Sequence, residues 1–171
     1  MTPIDRTINR ILEREGSEFT DPPADLGGPT RHGITQRTLT IWIGHDATVN
    51  DVRNLTKNNA REIYRKLYVL RPQFHLITDP ALQAQLIDCG VLHGTGWTIR
   101  RLQEILGAKV DGIIGPITLE AVNFDTALNG LNEKFLSRRI RRCVRIVDRD
   151  STQMVWLWGW QKRALDVYFE G

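Results

Sequence analysis

The chain has 171 residues, a formal net charge of +3 and a pI of about 9.1. This length fits one domain, or a catalytic region with a small second region, and can bury roughly 70% of its unfolded surface. The mild positive charge suits an anionic partner but does not choose among nucleic acid, lipid headgroups and cell-wall polymer. No apolar run approaches the ~18 residues of a membrane span. Cys89 and Cys143 match no metal-ligand spacing, so they are interpreted as buried free thiols.

The first predicted helix begins at Pro3, with Thr2 as its N-cap. Its apolar residues recur at helical spacing, and Glu15 continues their arc, whereas Glu13 points to the opposite face. A half-buried carboxylate must be paired or protonated, because desolvation raises its pKa. Two interpretations remain open for Glu15: a carboxylate paired with a structural arginine, or a general acid.

The segment 18–35 holds three prolines and three glycines and is predicted to form a loop with a short β-hairpin. Its candidate polar groups are Asp21, Asp25 and Thr30. Asp21 precedes a proline, which is more often a structural turn than a functional site. We expect Asp25 and Thr30 to be within reach of the end of the first helix, across a cleft.

Helices are predicted over 34–43, 57–68 and 79–93, and two more lie on either side of a turn at 111–112. The helix over 79–93 is expected to be central and buried. Core packing explains the Tyr64 and Tyr68 stripe of the second helix. His93 is interpreted as a core histidine, and the four histidines show no zinc-type pairing, so neither a metal nor a cofactor is expected.

The segment 131–149 is predicted to form a cationic amphipathic helix, with Arg139 as the one basic residue on its apolar side. Two interpretations stay open: a core helix with a solvated basic face, or a helix that also contacts cell wall or the anionic outer-membrane surface. No nucleic-acid recognition motif accompanies the charge, so nucleic acid is not an expected partner. The candidate wall or membrane contacts are Arg138, Arg141, Arg142 and Arg145.

Three tryptophans, Trp156, Trp158 and Trp160, crowd into five residues near the C-terminus. The spacing of Trp156 and Trp160 favours a helix. The first interpretation is that these rings pack against the core, and the second is that they form a sugar-stacking platform.

The segment 11–35 resembles the signature of the phage-type N-acetylmuramidases of glycoside hydrolase family 108. The resemblance continues along most of the chain, where the later part of such proteins is described as a predicted peptidoglycan-binding domain. The matching positions in 11–35 are Glu15-Gly16-Ser17, Phe19, Thr20-Asp21-Pro22, Asp25, Gly27-Gly28, Thr30 and Gly33-Ile34-Thr35.

This resemblance implies a mainly α-helical, lysozyme-like α+β fold with a small β-hairpin beside the catalytic helix. It implies hydrolysis of the β-1,4 bond between N-acetylmuramic acid and N-acetylglucosamine. Glu15 would be the general acid, with Asp25 or Thr30 as the second catalytic group and inversion or retention both open. Asp21, Gly28 and Thr35 are expected as further substrate contacts.

The expected organisation is a catalytic region at 1–94 and a helical peptidoglycan-binding region at 95–171, packed into one globular unit. The N-terminus shows no signal-peptide pattern. We therefore expect a monomeric phage endolysin, made in the host cytoplasm and acting on periplasmic peptidoglycan after a holin opens the inner membrane. The alternative is a catalytically inactive peptidoglycan-binding module.

Overall fold

The computed structural model describes residues 1–21, 28–125 and 130–170, and the chain forms two compact units, Met1–Arg71 and Pro72–Gly171. Both units are mainly helical, and the first contains a small three-stranded antiparallel sheet. The predicted α+β class is therefore confirmed. Within these ranges, no helix has the length and apolar character needed to cross a membrane.

The first unit combines four helices with the small sheet among its described residues. The helix predicted over 57–68 is present, but it changes to a π-helix at Arg65–Leu70. The helix predicted over 34–43 begins two residues late, because residues 34 and 35 form a strand instead. The elements are α1 Pro3–Glu15, β1 Phe19–Thr20, β2 Thr30–Arg31, β3 Ile34–Thr35, α2 Gln36–Ile43, α3 Val49–Arg53 and α4 Lys57–Tyr64.

Helix α1 begins where the sequence predicts. Thr2 Oγ1 accepts a hydrogen bond from the Asp5 amide at 3.1 Å, and the Asp5 carboxylate accepts one from the Thr2 amide at 3.0 Å. This reciprocal capping box satisfies two donors that the helix itself leaves unpaired. The bonds from Thr2, with a further bond from Arg65, lower the pKa of Asp5 to about 2. Helix α1 is thus fixed at its start and held to the segment that follows α4.

The second unit is built around a helix that is buried along most of its length. In α5, every residue from Leu82 to Gly90 is buried, which confirms the predicted central helix. Asp79 caps this helix and accepts a hydrogen bond from the Leu82 amide at 2.8 Å. The elements are a 3-10 turn Phe74–Leu76, α5 Pro80–His93, α6 Thr95–Leu106, α7 Pro116–Asp125, α8 Leu131–Arg149, a 3-10 turn Ser151–Gln153 and α9 Met154–Glu170.

A buried ion cluster joins three helices of the second unit. Asp88 of α5 is fully buried and accepts hydrogen bonds from Arg139 of α8 at 2.6 Å and from Arg163 of α9 at 2.9 Å. Arg139 is only 1% exposed, which accounts for a basic residue on the apolar side of α8. Cys89 and Cys143 are buried free thiols, as predicted, and burial raises the pKa of each.

The packing interpretation is wrong for two of the three clustered tryptophans. Trp156 is 60% exposed and Trp158 is 75% exposed. Two residues apart on a helix, their side chains point about 200° from each other, so they cannot share one core-facing side. The buried residues of α9 are Ala164 and Val167, in its second half. The first turns of α9 therefore present aromatic side chains to solvent.

Candidate active site and basic pocket

Glu15 is the last residue of α1, and the helix ends at Gly16, which has a φ of 75°. The expectation that Glu15 is half buried is wrong: the residue is exposed. The helical spacing correctly placed it on the arc of Ile8 and Ile11, which are buried. However, the chain leaves the helix there, and residues 16–18 are themselves exposed. Burial therefore gives no reason to choose Glu15 as a functional residue. The case for it depends on the residues that contact it.

The turn that joins β2 to β3 lies against the end of α1. Arg31 pairs with Ile34 across these strands, leaving His32 and Gly33 as a two-residue connection. Both have positive φ, 53° and 73°, as in the type I′ turns that match the twist of a hairpin. A non-glycine residue such as His32 rarely adopts this conformation, so the surrounding contacts must hold it.

Gly33 fixes the stem of Glu15 by close contact. A Cβ atom placed on Gly33 would lie 2.7 Å from Glu15 Cγ and 2.5 Å from the hydroxyl oxygen of Tyr64. That hydroxyl donates a hydrogen bond of 3.0 Å to the His32 carbonyl. The turn, α1 and α4 therefore meet at a point where only glycine fits. The aliphatic part of Glu15 is packed against this turn, although the residue as a whole is exposed.

The His32 side chain ties the same turn to the backbone after α1. The residue is 5% exposed, and burial lowers the pKa of its imidazole, with a further lowering from the charge of Arg31. Hydrogen bonds with the backbone of Gly16 and Leu55 oppose this shift. His32 thus secures the residue directly after Glu15, and it is a positioning residue.

Three threonines form a row across the small sheet. In the register, Thr20 is opposite Thr30, and Thr30 is opposite Thr35, so the three side chains lie on one face. The other face carries Ile34, which is fully buried. The Thr30 hydroxyl donates a hydrogen bond of 2.9 Å to the Gly28 carbonyl. Thr35 caps α2, since its hydroxyl accepts from the Thr38 amide at 3.2 Å.

Tyr68, in the π-helix, links this region to Glu15. Burial raises the pKa of Tyr68, the negative charge of Glu15 adds to the rise, and a hydrogen bond with the Thr38 side chain opposes it. The rings of Tyr64 and Tyr68 are 5.6 Å apart between centroids. π-Helical turns are frequent at functional sites. The spacing of both tyrosines predicts that they pack in the core. The one sequence signal for a polar contact is that each places a hydroxyl group on an otherwise apolar stripe.

The structure brings together several of the predicted site residues. Thr30 and Thr35 face each other, Gly28 bonds Thr30, and Glu15 contacts the turn that connects their strands. Asp21 directly follows β1 and is exposed. Asp25 lies outside the described residues. Within the described part of the chain, no three His, Cys, Asp or Glu side chains gather in a way that could hold a metal ion.

Apart from the buried Arg139, the basic residues of α8 line two depressions of the second unit. Arg138 and Arg141 line one together with Glu104 and Glu133, so its charge is mixed. Arg142 and Arg145 line the other, a pocket of about 290 Å³. The remaining residues of this second pocket are Trp97, Arg101, Ile146 and Arg149.

An exposed carboxylate fixed at a helix end beside a row of hydroxyls, with a separate cationic unit, is an arrangement suited to a hydrolase acting on a polymer. Residues 8–94 match the family Glycosyl hydrolase 108, and residues 97–165 match the family Predicted Peptidoglycan domain. The protein is accordingly a glycoside hydrolase that acts on peptidoglycan. Since the first match spans more than half of the chain, the protein belongs to the glycosyl hydrolase 108 family.

A solved structure, that of Brucella abortus SagA, shares this fold. It is similar over 96% of this chain and 95% of that chain, with a TM-score of 0.77 and 25% sequence identity. No curated protein sequence matches the chain significantly. The family and the shared fold agree with the expected lysozyme-like architecture. The two family matches meet between residues 94 and 97, whereas the compact units divide at Arg71 and Pro72. The division at 94 and 95 and the packing into one globular unit stay predictions.

Proposed function

We propose that the protein is an N-acetylmuramidase that cleaves the β-1,4 bond between N-acetylmuramic acid and N-acetylglucosamine, with Glu15 as general acid. The observation that carries the proposal is the contact of Gly33 with the Glu15 stem. It holds the Cβ and Cγ atoms of Glu15 beside the strands that carry Thr30 and Thr35. Membership of a glycosidase family supplies the reaction class.

The general acid must be protonated when it meets the glycosidic oxygen. Glu15 is exposed in the free protein, so a bound glycan strand is what removes water from it. Loss of that water favours the neutral carboxylic acid over the carboxylate. Protonating the leaving oxygen then allows the bond to break through an oxocarbenium-like transition state.

Thr30 is suited to hold the attacking water. Its hydroxyl proton is used in the bond to the Gly28 carbonyl, so its oxygen lone pairs remain as acceptors. A water that donates to Thr30 would have its own lone pair directed away, toward the sugar. Asp25 completes the proposal as the base that takes the water proton. Attack by water inverts the anomeric carbon, which requires roughly 6.5–9.5 Å between the Glu15 and Asp25 carboxyl groups.

The bond cleaved is tested by the identity of the new reducing end. Purified peptidoglycan is digested with the protein, reduced with borohydride and hydrolysed to its amino sugars. A muramidase converts muramic acid to muramitol, and this is the expected product. Glucosaminitol in its place would contradict the proposed specificity. Retention of the protein on the wall with no new reducing end would identify the inactive binding module instead.

The proposal extends to an endolysin role. The wall lies beyond the inner membrane, so an enzyme made in the host cytoplasm reaches it through a membrane lesion. Expression in a Gram-negative host with and without a separate holin tests this role. Lysis that depends on the holin is expected. Equal lysis without it would show another route of export.

A further inference from the structure

The basic pocket of the second unit has a composition that packing alone does not explain. It lies between α6, which contributes Trp97 and Arg101, and α8, which contributes Arg142, Arg145 and Arg149. Spacings of i, i+3 and i+7 put the three α8 arginines on one face of that helix. Ile146 is the one aliphatic residue of the lining.

Most of this positive charge has no acidic partner among the residues that the structure describes. Arg101 forms an ion pair with Glu104 at 2.5 Å. Among residues 1–21, 28–125 and 130–170, no carboxylate pairs with Arg142, Arg145 or Arg149. The Arg142 Nε atom is also buried without a hydrogen-bond partner in that part of the chain. Three converging cations repel each other, so a bound anion would relieve a cost that the free protein carries.

Trp97 organises the two guanidinium groups nearest to it. The Arg142 guanidinium lies 4.4 Å from the centroid of the ring, and that of Arg101 lies 5.8 Å from it. Stacking of this kind holds a guanidinium by its flat face and leaves its N–H edge free for an acceptor. The ring also supplies an apolar wall for the carbon part of a ligand. The volume of about 290 Å³ suits one small fragment of a polymer.

We propose that this pocket binds the free carboxylates of peptidoglycan stem peptides. All six lining residues fall within the stretch 97–165, which matches the Predicted Peptidoglycan domain family. The stem peptides carry carboxylates along a chain of small side chains, and arginine pairs carboxylates in a bidentate way. The inference deepens the proposed function, because it rests on peptidoglycan as the substrate. It adds recognition of the peptide to cleavage of the glycan.

A concave site distinguishes this ligand from a lipid surface. Helices that contact membranes lay a continuous face on the headgroups and insert apolar side chains. Here the cations surround a hollow with an aromatic wall. Phosphate headgroups would nevertheless satisfy the same guanidinium groups, so the test must separate the two sources of negative charge.

The test is a calorimetric titration of the full chain with a stem tetrapeptide that has free carboxylates, and with the same peptide fully amidated. The free peptide is expected to bind at least about tenfold more tightly than the amidated one. The variants Arg145→Ala and Arg149→Ala should each weaken binding by about tenfold. Both side chains are exposed, so thermal unfolding should be unchanged in these variants.

Lys134→Ala is the matched control, because it removes one positive charge from an exposed position of the same helix outside the pocket. Its effect should be less than about twofold, as expected for a surface charge outside the binding site. Equal binding of the two peptides, or an equal loss in Lys134→Ala and Arg145→Ala, would overturn the proposal.

Phosphatidylglycerol vesicles form the last arm of the experiment. If the pocket variants lose vesicle binding and keep peptide binding, the site belongs to a lipid phosphate and the proposal is wrong. The titration measures binding without cleavage. It therefore stands or fails independently of the muramitol assay, which tests the hydrolase assignment alone.

Discussion

The two units position their polar groups by different physical means. In the first unit, backbone conformation does this: a turn with two positive φ angles, at His32 and Gly33, brings strands against the end of α1 and fixes the stem of Glu15. In the second unit, helix faces do it. Asp88, Arg139 and Arg163 meet because α5, α8 and α9 pack side by side, and the basic pocket lies between α6 and α8.

The two units also differ in the environment of a carboxylate: Glu15 in the first is exposed, and Asp88 in the second is buried and ion-paired. Glu15 is exposed, and its carbon stem packs against the turn. The Asp88 carboxylate is fully buried and accepts hydrogen bonds from two arginines, so it is closed to solvent. A carboxylate of the first kind can change its protonation state during a reaction. A carboxylate of the second kind holds helices together.

The largest expected effect on stability follows from removing the buried carboxylate. Asp88→Asn leaves Arg139, which is 1% exposed, without a counter-charge. Breaking a buried pair in this way costs about 3–5 kcal/mol. Asp166→Asn is the matched control, since it removes the partner of Lys162 in a surface pair, which is worth less than about 1 kcal/mol. Urea unfolding of both variants would contradict the account if the two losses were similar.

A smaller loss of stability, but a large loss of activity, is expected for Gly33→Ala. The new methyl group would meet both Glu15 and Tyr64, and alanine is strained at a φ of 73°. Strain and overpacking together should cost about 2 kcal/mol or more. Gly44→Ala measures backbone strain without overpacking, because Gly44 has a φ of 80° and no atom within 4 Å of the added carbon. It should lose only about 1 kcal/mol.

The hydrolytic activity of Gly33→Ala tests whether the turn positions Glu15. A displaced acid reduces turnover because even small errors in position are costly to catalysis. Reducing-end release should therefore fall by about tenfold or more at temperatures where the variant is folded. Full activity in Gly33→Ala would show that the turn does not position Glu15.

The prediction with the smallest effect at neutral pH concerns acid sensitivity in the second unit. Burial lowers the pKa of His93 to about 3, and the nearby charges of Arg142 and Arg139 add to the shift. A histidine with a depressed pKa contributes stability above its unfolded pKa of about 6.5 and loses it as pH falls toward 3. His93→Gln should therefore flatten the fall of stability below pH 6.5. His75→Gln, which changes an exposed histidine of the same unit, is the matched control, and a pH profile of His93→Gln equal to the wild-type profile would contradict the assignment.

Local signals were sufficient to predict most of the fold. Helix α1 begins at Pro3 with Thr2 as its cap, where the pattern indicated. Asp79 at the start of α5, Gly107 at the end of α6 and Pro116 at the start of α7 are equally short-range signals. The π-helix at Arg65–Leu70 has no comparable signal in the sequence. In the structure, the tyrosines of this region form contacts with residues far away in the sequence: Tyr64 with the His32 carbonyl and Tyr68 with the Thr38 side chain.

The site was predicted in part, for a reason that Glu15 and Arg139 illustrate together. Helical spacing gives the direction of a side chain, but it does not say what stands opposite. Both residues were charges on an apolar arc. Arg139 is buried against Asp88, 51 residues away, whereas Glu15 is exposed because the chain turns away after Gly16. Such pairings over long sequence distances cannot be read from local patterns.

The central claim is that Glu15 is the general acid, and the pair Glu15→Gln and Glu13→Gln tests it most directly. Both side chains are exposed near the end of α1, so each change removes one surface carboxylate from the same helix with the fold unchanged. Reducing-end release from purified peptidoglycan should fall roughly 10²–10⁴-fold in Glu15→Gln, the usual contribution of a general acid, and stay at the wild-type level in Glu13→Gln. Retained activity in Glu15→Gln would remove this residue from the mechanism.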